Sequence, residues 1–220
     1  ATDIYTDWGI IKKTNTTGQN IGKTGAITGS YITDTTNDAD WGILETQVTT
    51  GKNFGKTGDE TGTYTTTATD VDTDCGVILA TQTVGQNKGQ GGVLTGTYTT
   101  DTTNDDTWGI LKTQITTGEN IGRTGDVTGT YITTATGVDA DWGVIKATQT
   151  VGENLNKNGD VTGTYTTDTT NDDTWGILET QVTNGLNKGK TGAITGTYAT
   201  TATDIDTDWG IIKATQTVGE

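Results

Sequence analysis

The chain has 220 residues, a formal net charge of −15 and a pI near 4.1. So acidic a chain lacks the basic footprint of a nucleic-acid binder, and no apolar run approaches the roughly 18 residues of a membrane-spanning helix. With no His and a single cysteine, Cys75, it has neither a disulfide framework nor a Cys/His zinc site.

The chain begins at Ala1 without Met, as expected of a processed product or an excised fragment. The first landmark is Trp8. Trp returns at 41, 108, 142, 175 and 209, with Cys75 in the remaining slot, in steps that alternate between 33 and 34. Each slot opens a predicted strand of the type "WGILETQVT" (175–183) or "WGVIKATQTV" (142–151). Alternate positions are apolar: Leu178, Thr180 and Val182 in one type; Ile145, Ala147, Gln149 and Val151 in the other. Near the Trp both faces are apolar, which predicts a covered strand end. A Gly follows every slot, and another lies ten residues after it (Gly18 through Gly219), where the strand is expected to end in a turn of positive φ.

A basic residue comes next, at Lys23, Lys56, Arg123, Lys157 and Lys190, with Gln90 the exception. These positions predict a positive edge opposite the acidic loops, or simply soluble loop tips. The second predicted strand is "GDVTGTYTT" (159–167). Its Tyr recurs as Tyr31, Tyr64, Tyr98, Tyr131, Tyr165 and Tyr198, and a Gly sits two before each: Gly29, Gly62, Gly96, Gly129, Gly163 and Gly196. A strand glycine calls for something bulky above it. The expectation is a Trp ring, and a bulge is the alternative. Trp8, Trp41, Trp108, Trp142, Trp175 and Trp209, with these Tyr and Gly residues, form the predicted structural ladder.

The loop back to the next slot has two forms, "TDTTNDAD" (33–40) and "TATDVDTD" (67–74). Their alternation makes the true unit a 67-residue pair, the signature of an array. The second form carries Asp70, Asp72 and Asp74, and again Asp204, Asp206 and Asp208. Alternate carboxylates suit Ca²⁺, but the bidentate acid that closes an EF-hand loop is missing. A solvated acidic turn is the competing reading.

Ile, Leu, Val and Phe make up only about 17% of the chain, a composition that verges on disorder. Aromatic residues held in register argue for a fold. No segment has helical spacing, and β-branched residues dominate. The prediction is one all-β tandem-repeat domain over 1–220, with two strands per repeat. A flattened open-ended β-solenoid and an antiparallel β-helix or zigzag both fit. A closed propeller is disfavoured, because 33 residues are few for four strands and a seventh first strand is present: residues 202–220 mirror 1–19.

The Thr/Gly/Asp-rich repeats resemble those of bacterial surface adhesins and phage tail fibres over the whole chain. That resemblance implies a structural stalk, fibre or filament segment at the cell surface or on a virion, self-associating end to end or as an intertwined oligomer. The T-x-T-x-T runs at Thr61–Thr65, Thr95–Thr99 and Thr162–Thr166 resemble the faces of β-solenoid ice-binding proteins, and the aromatic columns suit sugar stacking. A carbohydrate- or ice-binding module, with a glycan as partner, is thus the alternative. Catalysis is not expected: there is no His base, and Asp and Thr recur everywhere instead of forming one unique constellation. No organic cofactor is predicted.

Overall fold

The computed structural model describes residues 1–220, and the chain divides into two compact units, Ala1–Gly109 and Ile110–Glu220. The first contains β1 (Asp3–Tyr5), β2 (Ile10–Ile21), β3 (Ile27–Asn37), β4 (Leu44–Phe54), β5 (Glu60–Val71), β6 (Ile78–Lys88) and β7 (Leu94–Asn104). The second contains β8 (Leu111–Ile121), β9 (Val127–Val138), β10 (Ile145–Leu155), β11 (Val161–Asn171), β12 (Leu178–Lys188), β13 (Ile194–Asp206) and β14 (Ile211–Gly219). Within each unit every strand pairs antiparallel with its neighbour in sequence, and no pairing closes the unit into a ring. The all-β, open-ended repeat with two strands per repeat is therefore the fold, and of the arrangements left open by the sequence it is the antiparallel zigzag.

Two turns alternate at opposite ends of the strands. The short one is Gly22–Ala26 and its equivalents. Gly22 N–H donates to Ala26 O at 2.8 Å, and Gly25, at φ +81°, donates to Gly22 O at 2.8 Å. This is a three-residue hairpin loop that needs a left-handed residue at its third position. The long turn spans 38–43 and its equivalents. Asp38 N–H donates to Ile43 O at 2.8 Å and Gly42 N–H, at φ +73°, donates to Asp38 O at 3.2 Å. Positive φ thus falls on the glycine after each Trp slot. The glycine ten residues after the slot, expected in a turn, instead lies in mid-strand with ordinary extended geometry.

The 33/34 alternation has a local cause. Both loop forms adopt the same long turn, and the additional residue of the longer form is absorbed beside it as an additional bulge. The register slips once near the turn in β3 and β11, between Thr36 and Asn37 and between Thr170 and Asn171. In β5 it slips twice, at Ala68/Asp70 and Asp70/Val71, and β13 repeats this at Ala202/Asp204 and Asp204/Ile205. A bulge takes up one residue without disturbing the ladder beyond it, so the central register is the same in every hairpin.

No apolar side chain is buried. The fully buried residues are glycines, among them Gly29, Gly51, Gly85 and Gly152. The expectation of covered Trp side chains does not hold within this chain: Trp41 and Trp142 are 83% and 82% exposed, and even Trp209 is 67% exposed. The reason is position. Each Trp occupies the long turn, just before the strand starts, where the sheet does not cover it.

Candidate functional site

Four surfaces result: an acidic edge bearing the Trp residues, an edge of mixed charge at the short turns, and two sheet faces of unlike composition.

On the acidic edge every long turn but the first, which begins at Tyr5, is organised by its first aspartate. Asp38 Oδ1 accepts the N–H groups of Asp40 (2.8 Å) and Trp41 (2.6 Å), and Oδ2 accepts that of Ile43 (2.8 Å). Asp172 does the same with Thr174, Trp175 and Ile177 at 2.9, 2.7 and 2.8 Å. Asp105 accepts from Thr107 and Trp108, and Asp139 from Asp141 and Trp142. The charged form is what these amides stabilise. The amide of Trp41 foremost holds Asp38 below the usual carboxylate range, and that of Trp175 does so for Asp172. For Asp139 and Asp206 the leading cause is a lysine, Lys146 at 2.8 Å and Lys213 at 3.0 Å, with loop amides adding to it.

The calcium candidates divide accordingly. Asp72 spends Oδ1 on the amides of Asp74 (2.8 Å) and Cys75 (3.2 Å), and Asp206 Oδ1 accepts from Asp208 at 3.1 Å. Asp70 and Asp204 lie in the bulged ends of β5 and β13, while Asp74 and Asp208 are exposed in the turns. No three of these carboxylates converge into a group that could hold a metal ion.

Neighbouring long turns nest along this edge. A Cβ on Gly76 would stand 3.0 Å from Leu44 N and 3.1 Å from Ile43 Cγ2, and Gly143 and Gly210 meet the previous turn in the same way. At Gly76, Gly143 and Gly210 glycine is therefore required twice over, by its φ and by this approach.

The short turns carry Lys23, Lys56, Arg123, Lys157 and Lys190, all exposed. These basic residues lie across the length of the strands from the capping aspartates, but Asp59, Asp126 and Asp160 share three of the same turns, so the edge is one of mixed charge and soluble loop tips, not a positive edge. One ion cluster lies nearby: Glu60 bonds both Lys52 (2.8 Å) and Lys88, which together lower its pKa to about 2.

On one face of the sheet the residues fall into rows that cross the strands. The first row alternates Asn and Gly: Asn20, Gly29, Asn53, Gly62, Asn87, Gly96. The next alternates Gly and Tyr: Gly18, Tyr31, Gly51, Tyr64, Gly85, Tyr98. Each Tyr ring lies flat on the glycine of the preceding strand, so that a Cβ on Gly51 would stand 2.2 Å from Tyr64 Cζ. The cover over a strand glycine is therefore Tyr, and the glycine is the one ten residues after the Trp slot. The glycines two before Tyr have another reason to be small: a Cβ on Gly62 or Gly129 would stand 2.8 Å from a carbonyl oxygen of the next strand, beside a bulge.

A third row is all threonine: Thr16, Thr33, Thr49, Thr66, Thr83 and Thr100 in the first unit, and Thr116, Thr133, Thr150, Thr167, Thr183, Thr200 and Thr217 in the equivalent row of the second. Its hydroxyls bond pairwise across strands, as in Thr66–Thr83, Thr133–Thr150 and Thr167–Thr183, each at 2.8 Å. The fourth row holds only Thr, Gln and Ala. The opposite face mixes charges such as Lys52, Asp101 and Glu153 with half-exposed Val84, Ile132 and Val151.

No protein-family model, curated protein or solved structure matches the chain.

Proposed function

We propose that the chain is a structural, extracellular tandem-repeat β protein, a segment of a stalk, fibre or filament at a cell surface or on a virion. The observation that carries this reading is that strand order equals chain order with one central register, so each repeat needs only its two neighbours. Repeats can then be added without altering any existing contact, which is the property a rod requires. Electron microscopy of the purified protein tests the reading: rods or filaments are expected, and compact particles with no tendency to elongate overturn it.

A second reading has its own observation. Within each unit the exposed Trp rings recur along one edge at every second strand, save at the Cys75 slot, roughly 10 Å apart where consecutive at the usual strand spacing, a layout suited to stacking against the sugars of an extended glycan. A glycan array tests it. Thermal hysteresis measurements test the related reading, in which the flat threonine rows bind ice.

A further inference from the structure

We propose that the Tyr–Thr face of the sheet is the inner face of a two-layer assembly, covered by the same face of a second copy of the chain. This concerns lateral pairing and does not depend on whether the chain also extends end to end.

The first argument is charge. The four rows of this face, from Asn/Gly through Thr/Gln/Ala, contain no charged residue on any strand from β2 to β7 or from β8 to β14. They belong to a chain with 13 basic and 28 acidic side chains. Depletion of charge with enrichment of tyrosine is the compositional mark of an interface centre. It is also what lets two copies, each carrying −15, meet without like-charge repulsion.

The second argument is area. Six strands at about 4.8 Å and four rows at about 6.8 Å span roughly 800 Å² in one unit, which is what one partner contributes to a stable interface of standard size. The third is that a sheet is ordinarily one of two packed layers, and this one has no buried apolar side chain of its own.

The fourth argument selects the occupant. A glycan needs free, directed donors and acceptors. Here the threonine hydroxyls are turned on one another and the Asn20 amide lies against Gly29. What the face presents is a neutral set of tyrosine rings and paired threonines with a few glutamines, which suits an identical neutral face related by a two-fold axis.

Sedimentation equilibrium of the intact chain tests the proposal, with circular dichroism as a check on strand content. The wild type is expected at twice the 23.0 kDa chain mass, or at an even multiple of it. Thr66→Glu with Thr167→Glu places a carboxylate on the neutral face of each unit, and should weaken pairing on the order of 100-fold or more. Thr65→Glu with Thr166→Glu, one residue away on the opposite face, should leave it intact. A wild-type chain that is monomeric with full strand content overturns the proposal whatever the variants do. So does a dimer that the second pair breaks and the first spares, and so does a monomer that an insoluble β-linked glycan retains through the Tyr–Thr face.

Discussion

Replacing Gly152 by Ala tests the Tyr–Gly pairing at its most specific point. Gly152 has ordinary extended geometry, so the backbone accepts alanine, and removing a strand glycine by itself should stabilise by about 0.5–1 kcal/mol. The neighbour forbids it. The new Cβ would stand 2.3 Å from Tyr165 Cζ, 2.4 Å from its hydroxyl oxygen and 2.5 Å from Cε1. The ring must swing off the strand, and forced repacking of this kind costs about 1–3 kcal/mol. Gly152→Ala is therefore expected to destabilise the β10–β11 hairpin in the wild type and to stabilise it in a Tyr165→Ala background. The glycine gain is common to both backgrounds, so the coupling equals the repacking cost, about 1–3 kcal/mol. Repeat arrays need not unfold in one step, so the assay is native-state hydrogen exchange of the β10 and β11 amides, which reads local opening free energies. If Gly152→Ala has the same effect in both backgrounds, the ring does not lie on the glycine and the reasoning fails.

The turn carboxylates make stability depend on pH in a known direction. Asp38, Asp72 and Asp172 have folded pKa values below the ordinary one, so the stability they contribute is present above the usual carboxylate range and is lost as the pH falls through the lowered values. Glu60 adds a contribution lost between about 4.5 and about 2; melting followed by circular dichroism should show Glu60→Gln flattening that part of the acid limb. Adding EGTA should leave the melting midpoint unchanged, because the turn amides already occupy the Asp72 and Asp206 carboxylates; a fall in midpoint would restore the calcium reading. In the adjacent pair Trp175 and Gly176, Trp175→Ala should leave stability within about 0.5 kcal/mol, as for other exposed sites. Gly176→Ala should be clearly destabilising, since Gly176 has φ +67° and a Cβ there would stand 3.3 Å from Val144 Cγ1. Equal melting points for the two variants would contradict the nested-turn arrangement.

What could be read along the chain was what repeats along the chain. The period, the strand pair in each repeat and the absence of helix all follow from spacing. What could not be read was what lies across the chain. That Tyr31 covers Gly18 and not Gly29 depends on which residue of β2 stands opposite Tyr31, and that register is set by a bulge at Asn20/Ile21, which a linear pattern does not display. The all-threonine row is hidden for the same reason: its members come one per strand, whereas the eye follows Thr61, Thr63 and Thr65 along a single strand on the other face. One signal was available and is easily passed over. Asp stands three residues before every Trp slot but the first, at 38, 72, 105, 139, 172 and 206, and a fixed offset in an otherwise variable acidic run marks a turn-capping carboxylate more than a metal ligand. Trp misled because a recurring large aromatic is ordinarily a core residue, and here it lies in a turn.

The two kinds of glycine explain how a sheet this poor in apolar residues keeps one register. Slipping any strand by one residue against its neighbour would take the Tyr ring off its glycine and set it against a side chain in that hairpin. Flat hydrophilic strands are otherwise prone to slippage, and this chain has few apolar residues with which to prevent it. Steric exclusion at Gly18, Gly51, Gly85 and their equivalents does by shape what alternation of apolar and polar residues does elsewhere. Because the excluded positions recur on every second strand, the constraint is local to each hairpin and does not weaken as repeats are added. A face kept level and neutral by that device is the face a second layer can meet without any new side-chain arrangement, which is why register and lateral pairing trace back to the same Tyr–Gly row.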